Sequence, residues 1–497
     1  MRRALGETLL GEGDGTRAAW AAACGVVCLL LAAGVPGEAL AAGDPAPSGE
    51  EEKRGEVSVE LSVEGLGEDL YASLSATGGW SLPVPSLGCS GDRQTEGGGA
   101  GCQPRFRGGL QVPVRLRLAD GGAADEGLLR QEDWDEPGDY LRFVRLLEYG
   151  RASESFHARA GELGAVTLGH GTIVNGDYNV VSPDHFRFGV RSDLHTEYGG
   201  GSLILNDVAA PGLLGGRLYV RPAAFADTES WWTGLAVGVS VLGDATAPFS
   251  LERGPGDRPV VGPRQFPEVD QRQGTWLLGI DAELDVVDTD AVRVTPYADF
   301  NIHFGLDEGL HSGVLADVRP TDGLRFSTRL EYRLMGENYL PDYFGPLYEV
   351  DRFQFLGWGA LLPQPKLRVA ADSRAGPVMG GYGELTARIF DYVTVSGAYA
   401  NHEGPSNSMF RLSVESSPID RFQLGLFYYK HSLEDFGEVF DRDGALMVAE
   451  SRVQLVGPLF AKLAYQQLWQ LSDDGRYDSI DRWSVGVGGS FGFSRTE

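Results

Sequence analysis

The chain has 497 residues and a formal net charge of −28, which excludes nucleic acid as an expected partner, because phosphate binding needs clustered Lys and Arg. Mean hydropathy is −0.16, and beyond the N-terminus no apolar run is long enough for a membrane helix. A transmembrane barrel fits such a hydropathy, since half of each strand faces a polar lumen.

Arg2, Arg3 and Arg17 precede the apolar run 18–33, and the small-residue site Ala39-Leu40-Ala41 follows. Residues 1–41 therefore read as an export signal peptide. A single anchoring helix is the alternative, but no positively charged stop follows the run. Cys24 and Cys28 lie inside this segment. The remaining pair, Cys89 and Cys102, flanks a Gly-rich loop; in an exported protein it is expected to form a disulfide.

Residues 42–55 are small, acidic and Pro-containing, and read as a linker. Residues 56–109 form an N-terminal segment holding the Cys loop, with a weak hairpin over 57–63 and 70–74. Val112, Val114, Leu116 and Leu118 alternate with Arg115 and Arg117, so 110–118 is a strand. The acidic loop after it, Glu132 to Asp139, lacks the spacing of a known Ca²⁺ loop. Residues 140–149 show no clean period, and Asp139 is placed to cap a short helix.

From about 155 onward the period is two. Asp281, Glu283 and Asp285 alternate with Ile280, Ala282 and Leu284. Arg293, Thr295, Asp299, Asn301 and His303 alternate with Val294, Ala298, Phe300 and Ile302. Arg325, Arg329, Glu331 and Arg333 alternate with Phe326, Leu330, Tyr332 and Leu334. Charge on one face of many successive strands means that this face meets water. The connections alternate in length as well. Short ones (457–458, 418–420, 391, 319–323, 288–291, 198–200) interleave with longer ones (471–481, 432–445, 335–378, 243–273, 170–186). Short turns on one side and longer loops on the other are the pattern of outer-membrane barrels, and a soluble sandwich has no reason to keep that parity. The expected fold is all-β: a transmembrane antiparallel β-barrel over 110–497 of about 18 strands, within a range of 16–20.

The last strand carries a resemblance. Trp483, Val485, Val487, Gly489, Phe491 and Phe493 fall on one face; Ser484, Gly486, Gly488, Ser490, Gly492 and Ser494 fall on the other. An aromatic-rich closing strand ending on Phe resembles the C-terminal signal strand of outer-membrane β-barrel proteins, with Ser494 to Glu497 following the Phe as a departure. Over 110–493 the pattern is similar in class to porins. The resemblance implies an outer-membrane location and a channel for small polar or charged solutes. It also implies contact with outer-membrane lipid and with the machinery that assembles such barrels, and a homo-oligomer is compatible with it.

Inward charges are the candidates for solute selection: Arg293, Arg325, Arg329, Glu331, Arg333, Arg388, Asp281, Glu283 and Asp299. Loop 335–378 is the candidate constriction, with Tyr343, Phe344, Tyr348 and Phe353 too aromatic for a solvated tip. It either folds into the lumen or lies flat across the mouth. His170, Ser182, Asp184 and His185 invite a hydrolase reading, the alternative to a channel beside a structural or adhesive barrel; nothing in the sequence fixes their geometry. Gly488-Gly489-Ser490-Phe491-Gly492 matches Gly-x-Ser-x-Gly, but it sits mid-strand with no following helix. No enzymatic activity, cofactor or metal is expected.

Overall fold

The computed structural model describes residues 53–495 except 67–68, 84–104, 120–127, 131–132, 135–136, 152–153, 181–185, 227–231, 263–265, 358–361, 472–476 and the single positions 373, 375, 391, 418, 420 and 443. The export signal, most of the linker, and Cys89 with Cys102 lie outside the described residues.

The strands are, in order, β1 (Lys53–Leu66), β2 (Asp69–Pro83), β3 (Arg105–Ala119), β4 (Val144–Tyr149), β5 (Phe156–Gly161), β6 (Gly189–His195), β7 (Gly199–Leu205), β8 (Leu213–Val220) and β9 (Leu235–Asp244). A separate hairpin, β10 (Pro248–Leu251) and β11 (Val269–Arg272), follows. The wall resumes with β12 (Thr275–Leu284), β13 (Val287–Asp288), β14 (Val292–His303), β15 (Glu308–Thr321), β16 (Leu324–Met335), β17 (Val378–Ile389) and β18 (Val393–His402). It ends with β19 (Ser408–Ser416), β20 (Phe422–Leu433), β21 (Leu446–Gln454), β22 (Leu459–Leu471) and β23 (Tyr477–Arg495).

Each wall strand pairs antiparallel with its neighbours, and β23 pairs with β1, so the sheet closes. The sheet counts 21 strands, but β13 is a two-residue continuation of β12 against β14. The circuit therefore has 20 strands rather than 18. The difference has a clear source. The hairpin β1–β2 belongs to the wall and supplies its closing seam, so the barrel begins at Lys53 and not at 110. Residues 140–149, ambiguous by pattern, divide into a 3-10 turn (Pro137–Phe143) and β4.

Loop parity follows the expected pattern. At the end where β1 begins and β23 stops, most connections are tight: 196–198, 322–323, 390–392 and 455–458. Two at that end are longer, 84–104 and 221–234. The opposite end carries 162–188, 245–274, 336–377 and 434–445.

The alternation sets which face meets which medium. On β16, Leu330 is 55% exposed on the outer wall and Arg329 beside it is 6% exposed inside. Val57, Leu61, Leu203, Leu218, Ile280, Leu385 and Val487 are likewise exposed outside. Exposed aromatics cluster near both rims: Tyr198, Phe225, Phe390, Tyr392 and Phe422 at the short-turn end, and Phe304, Phe436 and Phe440 at the other. An apolar band between aromatic girdles is the lipid-facing surface of a barrel. Two glycines on this surface lie beneath indole rings. The Trp80 ring occupies the space a Gly108 side chain would take, and Trp483 does the same at Gly65. Such aromatic cover supplies packing that a strand glycine lacks.

Candidate functional site: the partly filled lumen

Two loops from the long-loop end fold into the barrel. The first, 162–188, forms an inward hairpin over 162–180, in which Val166 and Asp177 exchange backbone hydrogen bonds of 2.9 Å each. Its tip is Gly169-His170-Gly171. Gly169 and Gly171 sit at φ +58° and +80°, where a side chain is strained. A Cβ there would also meet the guanidinium arms of Arg217 and Arg329. The tight tip thus depends on both glycines.

The second loop, 336–377, holds two short helices, α1 (Tyr348–Gln354) and α2 (Lys366–Ala371). It adds a parallel bridge to the first loop at Val174 and Phe344. Phe344 N–H donates to the Ile173 carbonyl (3.0 Å), and Asn175 N–H donates to the Phe344 carbonyl (3.0 Å). Of the expected constriction aromatics, Tyr343, Phe344 and Tyr348 are 0–1% exposed. They pack with Leu163, Val166, Ile173 and Val174 of the first loop and with inward Ile204, Leu242 and Leu277 of the wall. Phe353 is only half-buried and meets Phe266 edge-on, centroids 5.4 Å apart. Between the two placements open from the sequence, inside the lumen or flat across the mouth, the loop lies inside. It has its own hydrophobic core there, which burial of several rings stabilises.

The inward charges divide by depth. Beneath the loops they engage the loops. His170 reaches Asp299 through Nδ1 (2.7 Å) and Glu283 through Nε2 (2.8 Å). Thr172 donates to the second Asp299 oxygen (2.7 Å). Asp281 takes both arms of Arg217 (2.9 and 2.5 Å). Arg329 donates to the His170 carbonyl and lies 4.0 Å above the Tyr382 ring. Glu331 is buried among Tyr297, His311 and Arg333, and Arg333 also pairs with loop residue Asp342 at 3.0 Å. Buried charges are tolerated only when paired and hydrogen-bonded in this way. Near the short turns the charges stay wet. Arg293 pairs with Asp285 (2.5 Å) and Arg325 with Asp317 (3.0 Å). Arg388, opposite Arg325 in register, lines an open vestibule of about 670 Å³ with Arg319 and Asp322.

His170 lies on a loop. Burial works to lower its pKa, but the hydrogen bonds to Asp299 and Glu283 prevail and raise it to about 9. A ring whose two nitrogens both face carboxylates donates from both, which only the imidazolium can do. His170, Asp281 and Asp299 also bring possible metal-ligand atoms within 4.8 Å of one another. Their donors are already committed to each other and to Arg217, so the cluster serves as a latch between loop and wall.

Some participants were not among the candidate site residues. His311 and Tyr339 meet at 3.0 Å, with Tyr339 also bonded to Asn301. Asp133, read only as one acid in a loop, is fully buried and receives Arg115, Arg130 and Arg142 at 3.0, 2.7 and 3.2 Å. The spacing of Arg130 and Asp133, three apart, is the one local hint. Of the hydrolase candidates, His170 is held in the latch; Ser182, Asp184 and His185 lie outside the described residues.

No family model matches the sequence, and no curated protein matches it. Among solved structures, OccAB4 of Acinetobacter baumannii is similar at 10% identity and a TM-score of 0.33, over 90% of this chain and 100% of its own. OccK11 (OpdR) of Pseudomonas aeruginosa is similar at 10% identity and 0.33, over 89% and 96%. The outer membrane protein OpdK of Pseudomonas aeruginosa is similar at 10% and 0.32, over 89% and 100%. At this level the likeness carries no weight, and the barrel stands on this chain's own strand pairing.

Proposed function

We propose that the protein is a porin-like channel of the outer membrane, passing small polar or charged solutes through a lumen narrowed by its two inward loops. One observation carries this reading: a closed 20-stranded wall, apolar and aromatic-girdled outside, encloses a polar interior that the loops fill only in part. An apolar exterior suits lipid, and a charged, incompletely filled bore suits water and solute. The signal-like segment 1–41 and the closing strand fit export and barrel assembly, with outer-membrane lipid and the assembly machinery as partners. The test is conductance in planar bilayers, preceded by a gel comparing heated and unheated protein. A heat-modifiable band with discrete conductance steps supports the channel. A folded band without conductance removes it and favours the structural barrel instead.

A further inference from the structure

The loops fill the lumen unevenly. Their apolar core leans on the inward faces of β7, β8, β9, β12 and β16. On the other side a cavity of about 450 Å³ remains between the loops and strands β3, β20, β21 and β22. That volume lies in the range of small-molecule sites, about 300–1,000 Å³. We propose that this cavity is the solute-binding station of the channel, and that it takes a neutral molecule with an aromatic or other compact apolar body and one or two hydrogen-bonding groups. The proposal rests on the channel reading and names the solute class within it.

The lining gives the apolar part. Tyr178, Phe186 and Leu347 face the cavity from the loops, and Phe427, Leu446 and Val448 face it from the wall. Tyr178 and Phe427 meet edge-on, centroids 5.6 Å apart, which leaves ring surface for a further aromatic partner. Gln111 and Gln466 line it as well, and their amides offer both donors and acceptors.

The charges give the neutrality. Arg115 and Arg142 reach the cavity, and two arginines beside apolar walls would ordinarily select an anion. Here both are matched. Arg115 donates to Glu64 at 2.7 Å and to both oxygens of Asp133 at 3.0 Å. Arg142 donates to Asp133 at 3.2 Å and to Asp139 at 3.3 Å. With Arg130 also on Asp133, three guanidiniums face three carboxylates among the described residues. A carboxylate solute would have to displace one of these while losing its own hydration, which is costly in a half-enclosed site. Glu162 on the same lining is itself matched by Arg145 at 3.1 Å, so it leaves no open cation for an anion to meet.

The test uses an isosteric pair, 4-hydroxybenzamide and 4-hydroxybenzoate, added to single channels at pH 7. The amide is expected to interrupt the current with dwell times at least 5-fold longer than the carboxylate. Phe427→Ala should shorten the amide dwell several-fold; if that variant lacks the heat-modifiable band, Pro346→Ser on the loop side serves instead. Asp133→Asn should lengthen the carboxylate dwell by unbalancing the arginines. Equal dwell times, a longer carboxylate dwell in the unaltered protein, or an amide dwell unmoved by the lining variants would overturn the proposal while leaving the channel intact. If no conductance is found, the channel reading falls and calorimetry on the folded protein decides the cavity: tighter binding of the amide keeps it, and equal or weaker binding removes it.

Discussion

The imidazole of His170 lies flat on the ring of Tyr297, centroids 4.1 Å apart and planes 13° from parallel. Tyr297 belongs to the wall and His170 to the tip of a loop from the far rim, so this stack marks how deep the loop reaches. With Asp299 and Glu283 on either side, it fastens the tip of the first loop to the wall.

This attachment should be sensitive to pH. The folded value of about 9 lies above the ordinary 6.5, so the latch contributes fully below about pH 6.5 and is lost as pH rises through about 9. The contribution is on the order of 3 kcal/mol. Conductance is expected to rise between pH 7 and 10. His170→Gln should start higher at pH 7 and show a flatter profile. Parallel profiles for the two proteins would assign the dependence elsewhere.

Neighbouring residues on β16 should fail in different ways. Leu330→Arg places a charge on the lipid face, at a cost of about 2–4 kcal/mol if near the midplane, and should depress folding into vesicles. Arg329→Leu leaves the outer wall unchanged but removes the donor to the His170 carbonyl. It should insert normally and conduct more. The reverse assignment of defects would invert the inside–outside register.

Replacing 338–375 with a short Gly–Ser turn should spare the barrel, because no strand of the closed wall lies within it. The replacement strips cover from Leu163, Val166, Ile173 and Val174. The heat-modifiable band should persist while single-channel conductance increases. Loss of the band would mean that the loop core is needed to assemble the wall.

Gly108→Val should displace the Trp80 ring, since a Cβ there falls within 2.1 Å of it. The expected cost is about 1–3 kcal/mol, typical of overpacking. Gly492→Ala, with open space at its Cβ, is the control. Urea midpoints that fall equally would show that the indole does not rest on the glycine.

The wall was largely readable from the chain because lipid and water impose opposite demands on alternate residues. Leu330 beside Arg329 is that rule in miniature. It weakened where an element is short, as in β4, or where Gly and Ser dilute the contrast, as in β2. Which charges meet solute was not readable. Arg325 and Arg329 look alike in the strand pattern, yet one faces an open vestibule and the other lies beneath a loop. That distinction is set by pairing between segments more than a hundred residues apart, such as His170 with Asp299, and local periodicity holds no record of it. The aromatic excess in 336–377 marked the loop as more than a solvated tip but left two placements open, inside the lumen or across the mouth, because composition does not say against which surface rings are buried.

The inner face of β23 carries Ser484, Gly486 and Gly488, side chains too small to project far into the bore. The loop core leans on another sector of the wall, from β7 to β16, so the bore is filled unevenly. Mutational scans should therefore read out by strand number. Changes at the inward positions that carry the loop core, Ile204, Leu242 and Leu277, would register as altered thermal resistance, and bulky residues introduced at 484 as altered flux. A library built only on the latter sector would retune traffic through the barrel without touching what keeps it upright.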